Sequence, residues 1–186
     1  EYIPRIKWAN ASSLLVFTMN RLQNNLKINK VDPTNLSVSL LMEETAPCYL
    51  EINDKMQFLK DGSYLWLSEK DGYNHLYLYD KTGKLINQIT KGNWDVTEVY
   101  GVDEKAKVIY YQSAEVSPME RHVYAVSLDG KKKTQITKEK GTNKAEFTNG
   151  FQYYIITHSN LAAAGNTTLF DSKGKEVRKL IDNSAL

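Results

Sequence analysis

The clearest indication of the fold is Leu76-Tyr77-Leu78-Tyr79-Asp80-Lys81-Thr82-Gly83, which is followed by Gln88-Ile89-Thr90-Lys91. Nearly the same arrangement returns as Val123-Tyr124-Ala125-Val126-Ser127-Leu128-Asp129-Gly130, followed by Gln135-Ile136-Thr137-Lys138. Gly83 and Gly130 stand 47 residues apart, and so do Ile89 and Ile136. Two features that recur at one offset indicate a repeated structural unit. A period of about 40–50 residues is typical of solenoids, propellers and arrays.

The repeat extends toward both ends of the chain with less regular spacing. Gly174, in Asp171–Gly174, lies 44 residues after Gly130, and Leu26, in Leu26–Asp32, lies 50 residues before Leu76. The sequence therefore predicts four units, at approximately 1–46, 47–93, 94–141 and 142–186.

Each unit has the pattern of strands. An apolar run opens the pattern at 14–17, 64–67, 108–111 and 153–156. An alternating strand such as His75–Tyr79 follows, and then a turn whose glycine can adopt a positive φ without steric cost. We find no amphipathic helix longer than about two turns. The prediction is an all-β fold, a β-propeller fragment of about four blades with four antiparallel strands each. A β-sandwich is the alternative, but it would not require a whole-unit repeat.

Composition excludes several classes of function. The 186 residues are 41% hydrophobic and 25% charged, with a net charge of +2, which is too small to indicate binding to nucleic acid or to a membrane surface. No stretch approaches the roughly 18 apolar residues of a membrane span. Cys48 is the only cysteine, so no disulfide can form within the chain, and we expect it to be a buried structural thiol.

The histidines and acidic residues give no metal or cofactor signature. His75 and His122 each stand one residue before equivalent repeat positions, which predicts a repeated structural hydrogen bond across the blade. Metal binding would require converging ligands, and the sequence predicts neither a metal nor a cofactor. Glu43 and Glu44 are adjacent, and we interpret them as solvated surface.

Several short motifs occur in one order along the chain. They are Ile3–Trp8, Asn20–Asn24, Phe58–Gly62, Ser68–Tyr79, Thr90–Val96, Arg121–Tyr124 and Leu180–Leu186. In this order they resemble the later propeller blades of the dipeptidyl-peptidase IV family of serine peptidases and its bacterial members. The resemblance covers essentially the whole chain.

That resemblance implies an eight-bladed propeller followed by a C-terminal α/β-hydrolase domain. It also implies removal of N-terminal dipeptides with Pro or Ala in second place, by a Ser-Asp-His triad. A Glu pair upstream of these blades would bind the substrate amine. This chain has no Gly-x-Ser-x-Gly motif, so it is expected to lack catalytic residues. The expected partners are the hydrolase domain of the same parent chain and peptide substrates, and the expected location is periplasmic or secreted.

The resemblance also implies candidate substrate-binding residues. In mammalian members, the loop before the second unit carries an aromatic residue and an arginine that line the far subsites. The matching stretch is Cys48–Asp54, in which Tyr49 could supply the aromatic wall. No arginine stands in this stretch, and Glu51 and Asn53 could face the cavity instead. An ordinary blade strand with a polar turn is the alternative for each.

Two other functions stay open. The chain could belong to a free-standing propeller that serves as a binding scaffold, or to an inactive family member that acts as an interaction protein. If the parent has eight blades, this chain holds half of the ring. The end blades would then expose apolar faces, and we expect the isolated chain either to self-associate or to close differently from the parent.

Overall fold

The computed structural model describes residues 1–52 and 55–183, and its regular secondary structure in these ranges is entirely strand. Sixteen strands form four sheets of four strands each. The first sheet contains β1 (Tyr2–Asn10), β2 (Ser13–Met19), β3 (Asn25–Val31) and β4 (Val38–Thr45). The second contains β5 (Gln57–Phe58), β6 (Tyr64–Ser68), β7 (His75–Tyr79) and β8 (Leu85–Gln88). The third contains β9 (Val96–Asp103), β10 (Val108–Ser113), β11 (His122–Ser127) and β12 (Lys133–Gln135). The fourth contains β13 (Thr142–Phe147), β14 (Tyr153–Asn160), β15 (Ala163–Asp171) and β16 (Glu176–Ile181).

In every sheet the strands lie side by side in chain order, as an antiparallel meander. Each predicted apolar run lies in the second strand of a sheet, at β2, β6, β10 and β14. Four-stranded meanders that recur along a chain are the blades of a propeller. The predicted fold class, a β-propeller fragment, is therefore confirmed. The residue bounds predicted for the four units stay a prediction.

The chain divides into two compact units, and the first comprises the described residues of Glu1–Trp66 and Tyr79–Ile86. Its core follows from the pleat of β2, because successive side chains of a strand point to opposite faces. Leu15, Phe17 and Met19 are buried, while the residues between them are half-buried. Trp66 is also buried, with its ring centroid 6.5 Å from that of Phe17. Burial of each such side chain stabilises the fold by about 1.5–3 kcal/mol.

The second unit comprises the described residues of Leu67–Leu78 and of the chain from Asn87 onward. Stacked aromatic pairs join neighbouring strands of this unit. Tyr111 and Tyr124 are cross-strand partners in β10 and β11, and their rings stack at 5.4 Å. Tyr154 and Phe170 are partners in β14 and β15 and stack at 5.3 Å. Such pairs contribute about 0.5–1.5 kcal/mol each beyond the area that they bury.

The turns that end the repeated stretches have the predicted glycines, and two of these glycines touch other backbone. Gly83 and Gly130 have φ of 86° and 73°. A Cβ on Gly83 would lie 1.6 Å from the carbonyl oxygen of Leu41, and one on Gly130 would lie 2.9 Å from that of Ile89. The same turn therefore closes against backbone at two places about one repeat apart, and only glycine fits there.

Candidate functional site

Two of the three predicted substrate-binding residues, Tyr49 and Glu51, lie in the link between β4 and β5. Tyr49 is 57% exposed, and Glu51 is exposed as well. Asn53, the third predicted residue, lies outside the described residues. The structure therefore places the Tyr49 ring and the Glu51 carboxylate where another molecule can reach them.

Two backbone hydrogen bonds fix this link to the turn between β2 and β3. The amide of Ala46 donates to the carbonyl oxygen of Asn24 at 3.0 Å, and the amide of Leu50 donates to that of Gln23 at 2.7 Å. The three residues between these anchors, Pro47–Tyr49, are all exposed. Tyr49 is thus presented on a short arch that is held at both ends.

The expectation of a buried Cys48 was wrong, because the thiol is free and exposed. The physical reason is its place on the arch. Pro47 lacks an amide hydrogen and so cannot extend the ladder of β4, and the chain leaves the sheet at that point. Cys48 then has no strand to cover it.

Glu43 and Glu44 have different environments, although the sequence analysis assigned both to solvated surface. The Nε1 of Trp66 donates to Oε2 of Glu44 at 2.5 Å, and Trp66 itself is buried. Glu43 accepts from Nδ2 of Asn25 at 2.7 Å, and its side chain is more exposed. The interpretation was wrong for Glu44, whose half-buried carboxylate satisfies a tryptophan N–H that would otherwise be buried without a partner.

The predicted structural role of His75 is confirmed. Its Nε2 lies 2.9 Å from the carbonyl oxygen of Gly92, which can only accept, so Nε2 carries the hydrogen. Its Nδ1 lies 3.1 Å from Oγ1 of Thr90, and this hydroxyl also accepts from the amide of Leu76 at 2.9 Å. A neutral imidazole satisfies both contacts, and both of its nitrogens are occupied.

His122 performs the same task 47 residues later with a different partner set. Its Nδ1 lies 3.0 Å from the carbonyl oxygen of Thr137, whose Oγ1 accepts from the amide of Val123 at 2.9 Å. Its Nε2 lies 2.8 Å from a carboxylate oxygen of Glu120. His122 therefore connects its strand to the loop before it. Because both of its ring nitrogens have structural partners, it is not available as a general base that activates a nucleophile.

His158 belongs to a junction between the third and fourth sheets. Its Nδ1 lies 3.0 Å from Oδ1 of Asn143, whose Nδ2 donates to the carbonyl oxygens of Arg121 and Glu139. The amide of Ala145 adds a further link by donating to the Tyr100 hydroxyl at 3.1 Å. Burial raises the pKa of that Tyr100 hydroxyl to about 12. These hydrogen bonds hold the third and fourth sheets together.

A cleft of about 680 Å³ lies between the third and fourth sheets, and the sequence analysis did not predict it. Its aromatic lining is Tyr110, Phe151, Tyr154 and Phe170. Its charged lining includes both signs, with Lys138, Lys173 and Lys179 beside Glu139 and Glu176. A volume of this size is sufficient for a small organic molecule or a short peptide segment.

The described residues contain no group of three or more His, Cys, Asp or Glu side chains that could hold a metal ion. Over the same residues, no helix is long and apolar enough to cross a membrane.

The repeated four-stranded meanders and the loops beside them define this chain as part of a β-propeller. Residues 1–164 match the family described as the dipeptidyl peptidase IV (DPP IV) N-terminal region, and the chain belongs to that family.

Known members are similar over most of the chain. The crystal structure of Porphyromonas gingivalis dipeptidyl peptidase 4 matches with a TM-score of 0.89 and 43% identity, over 99% of this chain and 26% of that one. Dipeptidyl peptidase 4 of Trichophyton equinum is 28% identical over 99% of this chain and 25% of its own length. That of Arthroderma otae is 35% identical over 66% of this chain and 16% of its own length. The chain thus spans between 16% and 26% of these three proteins.

Proposed function

We propose that this chain is the non-catalytic propeller part of a dipeptidyl-peptidase IV-like serine exopeptidase, which removes Xaa-Pro or Xaa-Ala dipeptides from peptide N-termini. The observation that carries the proposal is the match to P. gingivalis dipeptidyl peptidase 4 over 99% of the chain, at a TM-score of 0.89. The catalytic residues would lie in a C-terminal α/β-hydrolase domain of the same protein. The expected location of that protein is periplasmic or secreted.

The chain would influence the reaction in two ways: its shape would select which substrates enter, and its contacts would orient the bound peptide. A rigid propeller wall beside a catalytic serine admits thin, unfolded N-termini and excludes folded protein. A peptide that is held in one orientation also reaches the transition state with a smaller entropic cost. Both effects need a fixed wall, and the two hydrogen bonds at Ala46 and Leu50 hold the backbone on either side of Tyr49.

Tyr49 is the residue proposed for direct substrate contact, and Glu51 and Asn53 are the proposed polar neighbours. An exposed ring on a fixed arch can stack on a substrate side chain, which contributes about 0.5–1.5 kcal/mol. Because residues 48–54 contain no arginine, the carboxylate of Glu51 or the amide of Asn53 would supply the polar group of the subsite.

The test is the kinetics of Tyr49→Ala in the full-length protein, with peptides of several lengths. We expect KM to rise about 2- to 10-fold for peptides that reach the Tyr49 ring, with little change in kcat. Tyr49→Phe keeps the ring and is expected to behave as wild type. Tyr153→Ala, which removes a tyrosine of similar exposure on β14, is the matched control. Unchanged kinetics for every peptide with Tyr49→Ala would remove Tyr49 from the site.

A binding scaffold without peptidase activity is the second candidate function. The cleft between the third and fourth sheets favours it, because its aromatic and charged lining is the kind that binds organic ligands. Absence of a hydrolase domain from the full-length protein would favour the scaffold over the peptidase.

Self-association of the isolated chain is a further part of the proposal. Ile6 and Trp8 on β1, with Val38 and Leu40 on β4, are exposed apolar residues of the first sheet. The register places Trp8, Leu14, Val31 and Val38 in one row across the four strands. Residues of such a row lie on one face of a sheet, and an exposed apolar face of this kind favours association.

A further inference from the structure

The arch that presents Tyr49 is held by an unusual turn, Asn20–Asn24, between β2 and β3. Gln23 has a φ of 55°, in the left-handed region that non-glycine residues seldom adopt. Its carbonyl oxygen accepts from Leu50, and the next carbonyl, of Asn24, accepts from Ala46. Two consecutive carbonyls of one turn therefore hold both ends of the arch.

The side chain of Asn20 maintains this conformation. Its Oδ1 accepts from the amides of both Asn24 and Asn25 at 3.1 Å, and its Nδ2 donates to Oδ1 of Asn24 at 2.7 Å. Its carbonyl oxygen also accepts from the amide of Gln23 at 3.0 Å. A left-handed conformation is unfavourable for a residue other than glycine and persists only where its surroundings fix it. Here the surroundings are the five hydrogen bonds of Asn20: three of its side chain, the one that its carbonyl oxygen accepts, and the one that its amide donates to the carbonyl oxygen of Asn25 at 3.2 Å.

The side chain of Gln23 is restrained as well. Its Nε2 donates to the hydroxyl of Tyr2, at the start of β1. The hydroxyl of Tyr2 in turn lies 3.5 Å from the sulfur of the buried Met19. Gln23 is thus tied to the edge strand of the sheet by its side chain and to the arch by its carbonyl.

We propose that Asn20 and Gln23 are positioning residues for Tyr49: the turn directs the Gln23 carbonyl at Leu50 and thereby sets the place of the aromatic wall. This inference rests on the proposed substrate role of Tyr49. In this role neither Asn20 nor Gln23 needs to touch the substrate. A change in the turn would therefore act on binding through the mobility of Pro47–Tyr49.

The experiment compares Asn20→Ala with Asn20→Asp in the full-length protein. Alanine removes the acceptor for the amides of Asn24 and Asn25, whereas aspartate keeps that acceptor and loses only the donor to Asn24. Hydrogen exchange of a peptide covering 45–52 reports the anchoring of the Ala46 and Leu50 amides. Steady-state kinetics of the same variants report substrate binding, and thermal unfolding reports whether each variant is folded.

We expect Asn20→Ala to speed exchange in 45–52 at least 10-fold, and to raise KM to a similar extent as Tyr49→Ala without lowering kcat. Asn20→Asp is expected to recover most of both effects. Unchanged exchange in a folded Asn20→Ala variant overturns the positioning role, whatever Tyr49→Ala does.

The failure of the proposed function gives a different pattern. Faster exchange in Asn20→Ala, with KM unchanged in both Asn20→Ala and Tyr49→Ala, overturns the substrate role of Tyr49 and with it the positioning of a substrate wall. If Asn20→Ala does not fold, Gln23→Pro gives the same test, because a proline cannot adopt the left-handed φ and removes the Gln23 amide.

Discussion

The hydroxyl oxygen of Thr90 accepts a hydrogen bond from the backbone amide of Leu76 at 2.9 Å. The hydroxyl oxygen of Thr137, 47 residues further along the chain, accepts a hydrogen bond from the amide of Val123, also at 2.9 Å. In both sheets a histidine just before the amide contacts the same threonine. The sequence repeat is therefore a repeat of one hydrogen-bonding arrangement, which joins the third strand of a sheet to the segment that follows its fourth strand.

Removal of this hydroxyl should destabilise the fold at either position. Thr90→Val keeps the size of the side chain but leaves the buried amide of Leu76 and the Nδ1 of His75 without their partner. We expect a loss of about 1–3 kcal/mol in the free energy of unfolding. Thr90→Ser keeps the hydroxyl and should lose less than half as much. Chemical denaturation measures both, and equal stability of Thr90→Val and wild type would contradict the role of the hydroxyl.

The turn glycine at Gly83 should tolerate no side chain. Gly83→Ala places a methyl group against the carbonyl of Leu41, and we expect a loss on the order of 3 kcal/mol or more. Gly150→Ala is the matched control, because Gly150 has nearly the same φ, 82° against 86°, and a Cβ there would meet nothing within 4 Å. The control should lose only about 1 kcal/mol, from backbone strain. Thermal unfolding that ranks the two variants equally would contradict the close approach at Gly83.

Alkaline pH should destabilise the fold through its buried tyrosines. Burial raises the pKa of Tyr100 and of Tyr124 to about 12, from a value of 10.0 for an unperturbed side chain. Both groups are neutral in folded and unfolded protein below pH 10, so their contribution is then constant. Between about pH 10 and 12 the unfolded state releases these protons first, and stability falls as pH rises. Phenolate absorbance should rise together with unfolding, and release of all tyrosine protons near pH 10 in a folded protein would contradict this.

The isolated chain should associate through the first sheet. We expect a rise in average mass with concentration in sedimentation or light scattering, because Ile6, Trp8, Val38 and Leu40 form an exposed apolar set. Trp8→Lys should reduce the association, whereas Leu161→Lys removes an exposed apolar residue outside this set and should not. A chain that stays monomeric across the concentration range would contradict the expectation.

The repeat made most of the fold predictable. The strands, the turn glycines and the role of His75 follow from residues that recur at a spacing of 44 to 50 residues, because a repeated local environment selects the same residue types. The link that contains Cys48 has no counterpart in the repeat, so no sequence pattern indicated that the Cys48 thiol is exposed. The contact of Glu44 with Trp66, and that of Gln23 with Leu50, joins residues more than 20 positions apart. Such contacts depend on how strands are placed side by side, which a pattern of residue types does not specify.

The candidate site was predictable only as far as the resemblance reaches. It indicated Tyr49 and Glu51, and the structure shows both to be exposed on an anchored link. The anchoring turn has one local signal, the run of asparagines at Asn20, Asn24 and Asn25, since asparagine favours turns and left-handed backbone. That the left-handed residue is Gln23 follows from the hydrogen bonds of Asn20 and not from its own type.

The decisive experiment is an assay of the hydrolysis of an Xaa-Pro chromogenic dipeptide amide. It compares the full-length protein with this chain alone at equal concentration. We expect activity in the full-length protein and none in the 186-residue chain, which has no Gly-x-Ser-x-Gly motif and whose His75 and His122 are occupied by structural contacts. No activity in a folded full-length protein, or activity in the chain itself, would contradict it.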